Sequence, residues 1–257
     1  MEDDRMNGIL TDKVIVVMGV ANQRSIAWGC VQAILAQGGT PVLTYQNERL
    51  KKSIQRFVPE DIQLVACDVA EDSAIQQAFQ QIGERYGKID GVIHAIAYAD
   101  PETLKQGLVE TRRTGYNLAQ EISAYSFIAV ARYARPWLTK PASLITLTYF
   151  GATRAIPNYN MMGVAKAALE SSVRYLATDL GTDQIRVNAI SAGAVKTLAV
   201  AGIKGHGDLL KMSTSLTVDQ QSVTTSEIGN VAAFLLSDLS TGMTGDILYV
   251  DKGVHLM

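Results

Sequence analysis

The sequence SLITLTYFGATRAIPNYNMMGVAKAALES, residues 143–171, places a buried strand shortly before a helix. The apolar run at 143–148 predicts the strand, and the second half of the stretch predicts the helix. Tyr149 then lies at the C-terminal end of the strand. Tyr159 and Lys166 are seven residues apart, which is about two helical turns, so they would share one face of the helix.

Tyr159 and Lys166 on one face are a candidate pair for handling protons. A lysine ammonium favours a nearby phenolate, so we expect Lys166 to lower the pKa of Tyr159. The alternative is that the tyrosines belong to a packing interface and that Lys166 is solvated. This stretch alone favours the alternative, whereas the remainder of the chain favours the proton-handling interpretation.

Composition excludes several classes of protein. The chain has 257 residues, 47% of them hydrophobic, so it can bury a large core. A net charge of −2 without a basic block gives no support for binding nucleic acid or a membrane surface. No apolar run approaches a membrane span, and the polar N-terminus is unlike a secretory signal. We expect residues 1–7 to form a flexible extension.

The cysteines and histidines predict neither a disulfide framework nor a metal site. Only Cys30 and Cys67 are present, and the three histidines lack the spacing of metal ligands. A reducing, cytoplasmic location is therefore the expected one.

Short apolar runs alternate with helical patterns along the whole chain. Strands are predicted at 13–18, 41–45, 63–67, 91–97, 143–148, 186–191 and 246–250, and helices at 26–37, 48–57, 73–86, 112–138, 160–180 and 225–236. Such apolar runs are typical of strands buried on both faces of a parallel sheet. The pattern predicts a single-domain α/β protein, a doubly wound Rossmann fold of about seven strands.

The first strand, turn and helix are candidates for binding a dinucleotide, because ligands of such sheets lie beyond the C-terminal strand ends. Gly19 and Ala21 would let the backbone approach a pyrophosphate, and free amides at the start of the helix after Ser25 favour an anion. The G-x-G-x-x-G spacing is absent. An ordinary turn with Ser25 as the helix cap therefore remains the alternative.

Residues after the second and third strands bear on the choice of nucleotide. Asp68 could accept a hydrogen bond from an adenine amino group, or it could be a turn aspartate. Gln46 is neutral and does not attract a 2′-phosphate as an arginine would, which favours NADH over NADPH. Arg49 is close enough in sequence to keep NADPH open.

An ordered set of motifs resembles a known family. The motifs are Gly19-x5-Ser25-Ile26-Ala27-x-Gly29, Asp68-Val69, Gly91-Val92-x-His94, Tyr149-x9-Tyr159-x6-Lys166, Arg186-Val187-Asn188-Ala189-Ile190-Ser191-Ala192-Gly193 and Ser237-Asp238-Leu239-Ser240. Together they cover residues 8–254. They are similar to the bacterial enoyl-acyl-carrier-protein reductases of the FabI type, a divergent branch of the short-chain dehydrogenase/reductase superfamily.

The spacing of tyrosine and lysine distinguishes branches of that superfamily. The commoner, ketone-reducing branch uses Tyr-x3-Lys, and Met162 occupies that tyrosine position here. A thioether cannot supply a proton. Tyr159 lies about one turn further from Lys166, which suits the enolate oxygen of a thioester better than a carbonyl at the hydride centre. Tyr149 stands where the commoner branch has a strand-end serine.

The resemblance implies NADH-dependent reduction of the trans-2 double bond of enoyl-acyl-carrier-protein thioesters, the last step of the type II fatty-acid elongation cycle. It also implies a homotetramer formed through the helices at 112–138 and 159–180. The implied catalytic residues are Tyr149, Tyr159 and Lys166. Residues implied around the dinucleotide are Gly19, Ser25, Ile26, Gln46, Asp68, Val69, Ile96, Lys166 and Thr197. Those implied around the acyl chain are Tyr98, Leu104, Tyr149, Tyr159, Met162, Ala199 and Ile203.

The chain departs from the family pattern in four places. Ala95 replaces a usual serine, Ala194 a usual proline and Lys252 a usual glycine, and residues 216–222 lack the basic residues expected for an acidic carrier protein. Two other functions remain open. A short-chain carbonyl reductase is disfavoured by Met162, and a non-catalytic dinucleotide sensor is disfavoured by the intact tyrosine and lysine.

Residues 197–214 follow the strand at 186–191 and would hang over the ligand-binding edge of the sheet. The segment mixes apolar residues with glycines that interrupt a helix at 202–207. We expect a substrate lid, which would order over bound ligands. The alternative is a surface helix docked permanently on the sheet.

Overall fold

The computed structural model describes residues 8–197 and 206–257. Within these ranges the strands are β1 (Val14–Met18), β2 (Thr40–Tyr45), β3 (Leu64–Ala66), β4 (Ile89–His94), β5 (Leu138–Thr148), β6 (Ile185–Ala192) and β7 (Ile247–Val250). They form one sheet in the order β3-β2-β1-β4-β5-β6-β7, and every neighbouring pair is parallel. The predicted single-domain Rossmann fold is confirmed.

Helices cover both faces of the sheet. Those described are α1 (Ile26–Ala36), α2 (Glu48–Ile54), α3 (Asp72–Tyr86), α4 (Glu102–Lys105), α5 (Arg113–Gln120), α6 (Ser126–Ala134), α7 (Asn160–Leu180), α8 (His206–Leu216) and α9 (Thr225–Leu236). Alternate residues of β1 enter two different cores, because successive side chains of a strand point to opposite faces. Val16 packs in the core with α3, α6 and α7, and Val17 packs in the core with α1 and α9.

The predicted helix over 112–138 is confirmed from Arg113 to Trp137, but its type changes along its length and it ends in a 3-10 turn at Arg135–Trp137. Helix α5 gives way to a π-helical turn at Glu121–Tyr125, and α6 ends at Ala134. Strand β5 already begins at Leu138. Its first residues include the exposed Lys140, so no apolar run marks them in the sequence. The short helix α4 was not predicted either.

Two predicted segments fall on residues that are not described. The extension at 1–7 lies outside the described residues, and so does the part of the lid at 198–205, which includes Ala199 and Ile203. The lid and both residues therefore stay predictions. Residues 206–214 belong to α8, whose second residue is Gly207. The expectation that glycine interrupts a helix there is wrong at this position.

The Arg186 and Asn188 motif holds the fold together, and it lies away from the predicted site. Arg186 Nη2 donates to the carbonyls of Leu235, at 2.8 Å, and Ser237, at 3.1 Å, at the end of α9. Asn188 Nδ2 donates to the Met243 carbonyl at 2.9 Å. These bonds satisfy carbonyls that the helix and loop leave unpaired. None of the described helices is long and apolar enough to cross a membrane.

We predict that Phe79→Ala lowers the free energy of unfolding by about 3–5 kcal/mol. Phe79 on α3 is fully buried in the core that contains α6 and α7, so the substitution removes buried area and leaves a cavity. Urea denaturation followed by circular dichroism measures the change. The control is Val109→Ala, because Val109 is 91% exposed and should change stability by no more than about 0.5 kcal/mol. Equal effects of the two substitutions would contradict the assignment of this core.

Candidate active site

The end of β5 and the first turns of α7 are joined by two hydrogen bonds. Lys166 Nζ donates to the Leu147 carbonyl at 2.7 Å. Thr148 Oγ1 donates to Glu170 Oε1, also at 2.7 Å. Lys166 and Glu170 lie one helical turn apart and are only 5% and 7% exposed. Strand and helix therefore hold the lysine in a fixed position at the C-terminal edge of the sheet.

Tyr149 and Tyr159 pack against each other between the end of β5 and the start of α7. Tyr149 follows β5, and Tyr159 directly precedes α7. Their ring centroids are 5.0 Å apart at an interplanar angle of 71°, an edge-to-face contact. A Cβ at Gly151 would lie 2.6 Å from the Tyr159 ring. The tyrosine pair therefore depends on a glycine in the turn between the strand and the helix.

Burial sets the protonation of the site. It lowers the pKa of Lys166 to about 8, against the charge of Glu170, which raises it. Burial raises the pKa of Tyr159, and the neighbouring Tyr149 and Glu170 raise it further. The prediction that Lys166 lowers the pKa of this tyrosine is therefore wrong. Tyr159 stays protonated at neutral pH, so it is a hydrogen-bond donor.

The apolar side of the site contains most of the predicted acyl-chain residues. Leu104 and Tyr159 pack against a small buried cluster that includes Met162. Tyr98 is half exposed, and its backbone is held by one side chain. Its amide donates to Ser123 Oγ at 2.9 Å, and Ser123 Oγ donates to its carbonyl at 2.8 Å.

Ser123 was missed by sequence reasoning. It lies in the π-helical turn and also approaches Met162 Sδ at 3.8 Å. Such turns are frequent at functional sites. No local pattern marks the residue, because its partners are 25 and 39 positions away in sequence.

The turn after β1 is a candidate phosphate cradle at the sheet's switch point, where β1 neighbours both β2 and β4. Gly19 has φ +97°, and a Cβ there would lie 2.1 Å from the Ala95 carbonyl. Ser25 Oγ donates to the Asn22 carbonyl at 2.6 Å and makes no side-chain cap to α1. The first amides of α1, which starts at Ile26, face the same edge, so the residues fit a pyrophosphate.

Gln46 and Asp68 meet at the ends of β2 and β3. Gln46 Nε2 donates to Asp68 Oδ2 at 3.1 Å, and the Ala70 amide donates to Asp68 Oδ1 at 3.1 Å. Asp68 is therefore also the turn aspartate that the sequence allowed. A carboxylate beside Gln46 disfavours a further negative charge at this place.

The remaining predicted dinucleotide residues lie around the same edge. Val69 is buried in the core, and Ile96 packs against that core. The Thr197 amide donates to the Val195 carbonyl at 2.7 Å. Val69 therefore packs in the core, and its role toward the dinucleotide stays a prediction.

His94 is a neutral structural residue. Ser126 Oγ donates to the Ile122 carbonyl at 2.6 Å, so its oxygen accepts from His94 Nε2, 2.8 Å away. The Thr146 hydroxyl lies 3.0 Å from His94 Nδ1 and 3.2 Å from the His94 carbonyl. Burial, and after it the charge of Lys166, lower the pKa of His94 to about 3.

The departures from the family pattern leave the tyrosine and lysine untouched. Ala95 meets Gly19 and Met18 through its backbone, so those contacts need no serine. Lys252 has φ +53°, a conformation that favours the usual glycine. Its ammonium forms ion pairs with Asp219, at 2.9 Å, and Glu227, at 3.5 Å.

A Rossmann sheet with a tyrosine and a buried lysine at one strand end, beside a phosphate cradle, defines an oxidoreductase of the short-chain dehydrogenase type. Comparison with known proteins narrows the class. Residues 19–255 match the family profile described as Enoyl-(Acyl carrier protein) reductase. The chain therefore belongs to the enoyl-acyl-carrier-protein reductase family. The family and enzyme class predicted from the sequence are confirmed.

Individual relatives agree over nearly the whole chain. The Enoyl-[acyl-carrier-protein] reductase [NADH] FabI of Enterococcus faecalis is 54% identical over 247 residues, which are 96% of this chain and 99% of the relative. The Bacillus subtilis protein of the same name is 45% identical over 98% of this chain and 99% of its own length.

Solved structures give the same result. The Bacillus cereus enzyme in complex with NADP+ and indole naphthyridinone has a TM-score of 0.94 and 43% identity, over 97% of this chain and 99% of that one. The Anaplasma phagocytophilum enzyme in complex with NAD has a TM-score of 0.93 and 41% identity, over 98% and 97%.

We predict that Gly19→Ala weakens NADH binding by about tenfold or more. A side chain in this backbone conformation strains the turn by about 1–3 kcal/mol, and the Ala95 carbonyl must also move; each 1.4 kcal/mol is about tenfold in affinity. Titration of NADH fluorescence gives the dissociation constant. Gly87→Ala is the control, because Gly87 has φ +70° but nothing within 4 Å of an added Cβ. Equal NADH affinities for the two variants would contradict the cradle.

Proposed function

We propose that this enzyme uses NADH to reduce the trans-2 double bond of enoyl-acyl-carrier-protein thioesters, in the last step of the fatty-acid elongation cycle. The observation that carries the proposal is the placement of the tyrosine. Tyr159 packs on Tyr149 seven residues before Lys166, and the tyrosine position of ketone reductases holds the buried Met162. NADH, when bound, supplies the hydride that the β-carbon of the substrate receives.

Tyr159 stabilises the charge that develops on the substrate. Its hydroxyl donates a hydrogen bond to the thioester oxygen as that oxygen becomes an enolate, and the α-carbon then takes up a proton that solvent supplies. A donor positioned for the transition state lowers the barrier, because it binds the enolate more strongly than the neutral thioester. The raised pKa of Tyr159, caused first by burial, keeps this donor protonated.

Lys166 binds the ribose of the nicotinamide and supports the same charge. An ammonium has three N–H donors. Among the described residues, its hydrogen bond goes to the Leu147 carbonyl, which leaves donors for the two ribose hydroxyls. Tyr149 lines the substrate end of the site. Tyr98, Leu104 and Met162 form the wall for the acyl chain, while Ala199 and Ile203 stay predictions.

The carrier protein docks beside the start of α1. A groove of about 910 Å³ opens there and is lined by the cations Arg24, Lys196 and Lys211. Within the described part of the chain, its lining contains no aspartate or glutamate. A groove of one sign of charge attracts an acidic partner. These three cations would bind the carrier protein in place of the basic residues that the segment 216–222 lacks.

The enzyme assembles as a homotetramer in the cytoplasm. Tyr116 on α5 and Tyr175 on α7 are exposed aromatic residues, with 46% and 72% of their surface accessible. Exposed aromatics on adjacent helices suit a protein interface. Cys30 and Cys67 are buried free thiols, which is compatible with a reducing compartment.

The proposal is tested by following NADH oxidation with a crotonyl thioester. We expect turnover with this substrate and little with simple ketones. Turnover with ketones alone would favour the carbonyl reductase, and no turnover with either substrate, at NADH concentrations that saturate the protein, would favour a dinucleotide sensor.

We predict that Tyr159→Phe lowers kcat by about 100-fold or more, because it removes the donor to the enolate oxygen. Steady-state kinetics with saturating crotonyl thioester measures the loss. Tyr249→Phe, at a partly exposed position on β7, is the control and should keep wild-type kcat. If Tyr159→Phe turns over at a near-normal rate, the assigned role of this hydroxyl is wrong.

We predict that kcat/KM is higher with NADH than with NADPH by about tenfold or more, equivalent to about 1.4 kcal/mol. Gln46 offers no fixed positive charge, and the carboxylate of Asp68 lies next to it. Both features disfavour a 2′-phosphate. Gln46→Arg should lower the ratio of kcat/KM with NADH to kcat/KM with NADPH, because an arginine attracts the 2′-phosphate. A wild-type preference for NADPH would instead mean that Arg49 or another cation reaches the nucleotide.

A further inference from the structure

We infer that Glu170 is a positioning residue for the reaction: its carboxylate, held by Thr148, keeps Lys166 in the ammonium form at the end of β5. Neither the motifs nor the proposed mechanism gives Glu170 a role. The inference rests on the proposed function only in assigning a role to the Lys166 ammonium. Its first test measures Lys166 directly and does not depend on activity.

The side chains of Lys166 and Glu170 are both hydrogen-bonded to the end of strand β5. Lys166 and Glu170 lie on the same face of α7, one turn apart. Lys166 Nζ is bonded to the Leu147 carbonyl, and Glu170 Oε1 accepts from Thr148 Oγ1, each at 2.7 Å. Leu147 and Thr148 are consecutive residues, so the last two residues of β5 fix both side chains.

Glu170 acts on Lys166 through its charge. Among the described residues, no ion pair within 4.0 Å joins the two groups. Both are nonetheless buried, and charges in a buried environment interact more strongly than charges in water. Burial lowers the pKa of Lys166 to about 8, and the charge of Glu170 opposes that change. Without the carboxylate, the ammonium would lose its proton at a lower pH.

The other groups around the pair do not replace this charge. His94 on β4 is neutral because burial lowers its pKa to about 3. Tyr149 and Tyr159 are neutral because burial raises the pKa of both. On α7 itself, the charge of Arg174 favours the ionised form of Glu170.

Asp251, after β7, is the further acidic group that acts on the tyrosines. Its charge raises the pKa of Tyr149. The carboxylate also accepts from its own turn and from the ring of His255, at 2.9 Å. Glu170 is the acidic group whose charge acts directly on the lysine.

Burial also raises the pKa of Glu170, and the hydrogen bond from Thr148 opposes this. A hydroxyl that donates to a carboxylate stabilises its charged form. Thr148 is therefore the second member of the arrangement, since it stabilises the ionised form of Glu170 and holds the carboxylate at the end of β5.

The test is a titration of Lys166 by NMR in protein labelled with carbon isotope at the lysine Cε. The Lys166 signal is assigned from its absence in Lys166→Arg. A lysine is charged below its pKa, so loss of the Glu170 charge should move its midpoint to lower pH. We expect Glu170→Gln to lower the midpoint by about one pH unit. The matched control is Asp179→Asn, which removes one exposed negative charge from the same helix and should leave the midpoint unchanged.

The second readout is the pH profile of kcat/KM with NADH and crotonyl thioester. In wild type we expect activity to fall as the pH rises through the pKa of Lys166. In Glu170→Gln the alkaline limb should move to lower pH by the same interval as the NMR midpoint. Glu170→Asp keeps the charge and should recover most of the shift. If Glu170 had only a structural role, its replacement would lower activity equally at all pH values.

Thr148→Val keeps the inference testable if Glu170→Gln does not fold. It preserves the carboxylate but removes the hydrogen bond that holds it at the end of β5, so the Lys166 midpoint should move in the same direction by a smaller interval. If Glu170→Gln does fold, the variant that carries both Thr148→Val and Glu170→Gln should show the same shift of the Lys166 midpoint as Glu170→Gln alone. Both substitutions act through the charge of Glu170. An unchanged Lys166 midpoint in Glu170→Gln, or in Thr148→Val if that is the variant that folds, would overturn the inference. Absence of wild-type turnover would instead overturn the proposed function.

Discussion

The hydrogen bond from Lys166 Nζ to the Leu147 carbonyl is the contact on which the site depends. It fixes a helix to the end of a central strand at 2.7 Å, so the side chains that follow the strand and those at the start of the helix keep one geometry. Tyr149 and Tyr159 then meet edge to face, and the turn between them is narrow enough to need Gly151.

Burial is the common cause of the electrostatics at this edge. It makes Lys166 easier to deprotonate and Tyr159 harder to deprotonate. At neutral pH, below the Lys166 pKa of about 8, the two groups are still an ammonium and a neutral phenol, and both can donate hydrogen bonds. Such donors suit a reaction in which negative charge appears on a substrate oxygen.

Much of the fold could be predicted from the sequence, because strands buried on both faces leave continuous apolar runs. The run at 13–18 predicted β1 closely. The start of β5 was missed because Lys140 and Pro141 are exposed there and interrupt the apolar run. The π-helical turn at Glu121–Tyr125 also has no pattern of its own.

Site residues could be predicted where their function is marked by a spacing in the sequence. They could not be predicted where their function depends on a tertiary contact. Met162 and the wider interval between Tyr159 and Lys166 pointed to the right family. The raised pKa of Tyr159 follows from burial that only the folded chain creates. Ser123 and Glu170 were missed because their partners, Tyr98 and Thr148, are more than 20 residues away.

The position to which hydride is transferred tests the central claim most directly. The enzyme would be given NADH deuterated at the transferable position and a crotonyl thioester, and the product would be examined by mass spectrometry and NMR. The account predicts a saturated butyryl thioester with deuterium on the β-carbon, since Tyr159 is placed for an enolate oxygen. Deuterium on the former carbonyl carbon, in an aldehyde or alcohol that keeps the double bond, would contradict it.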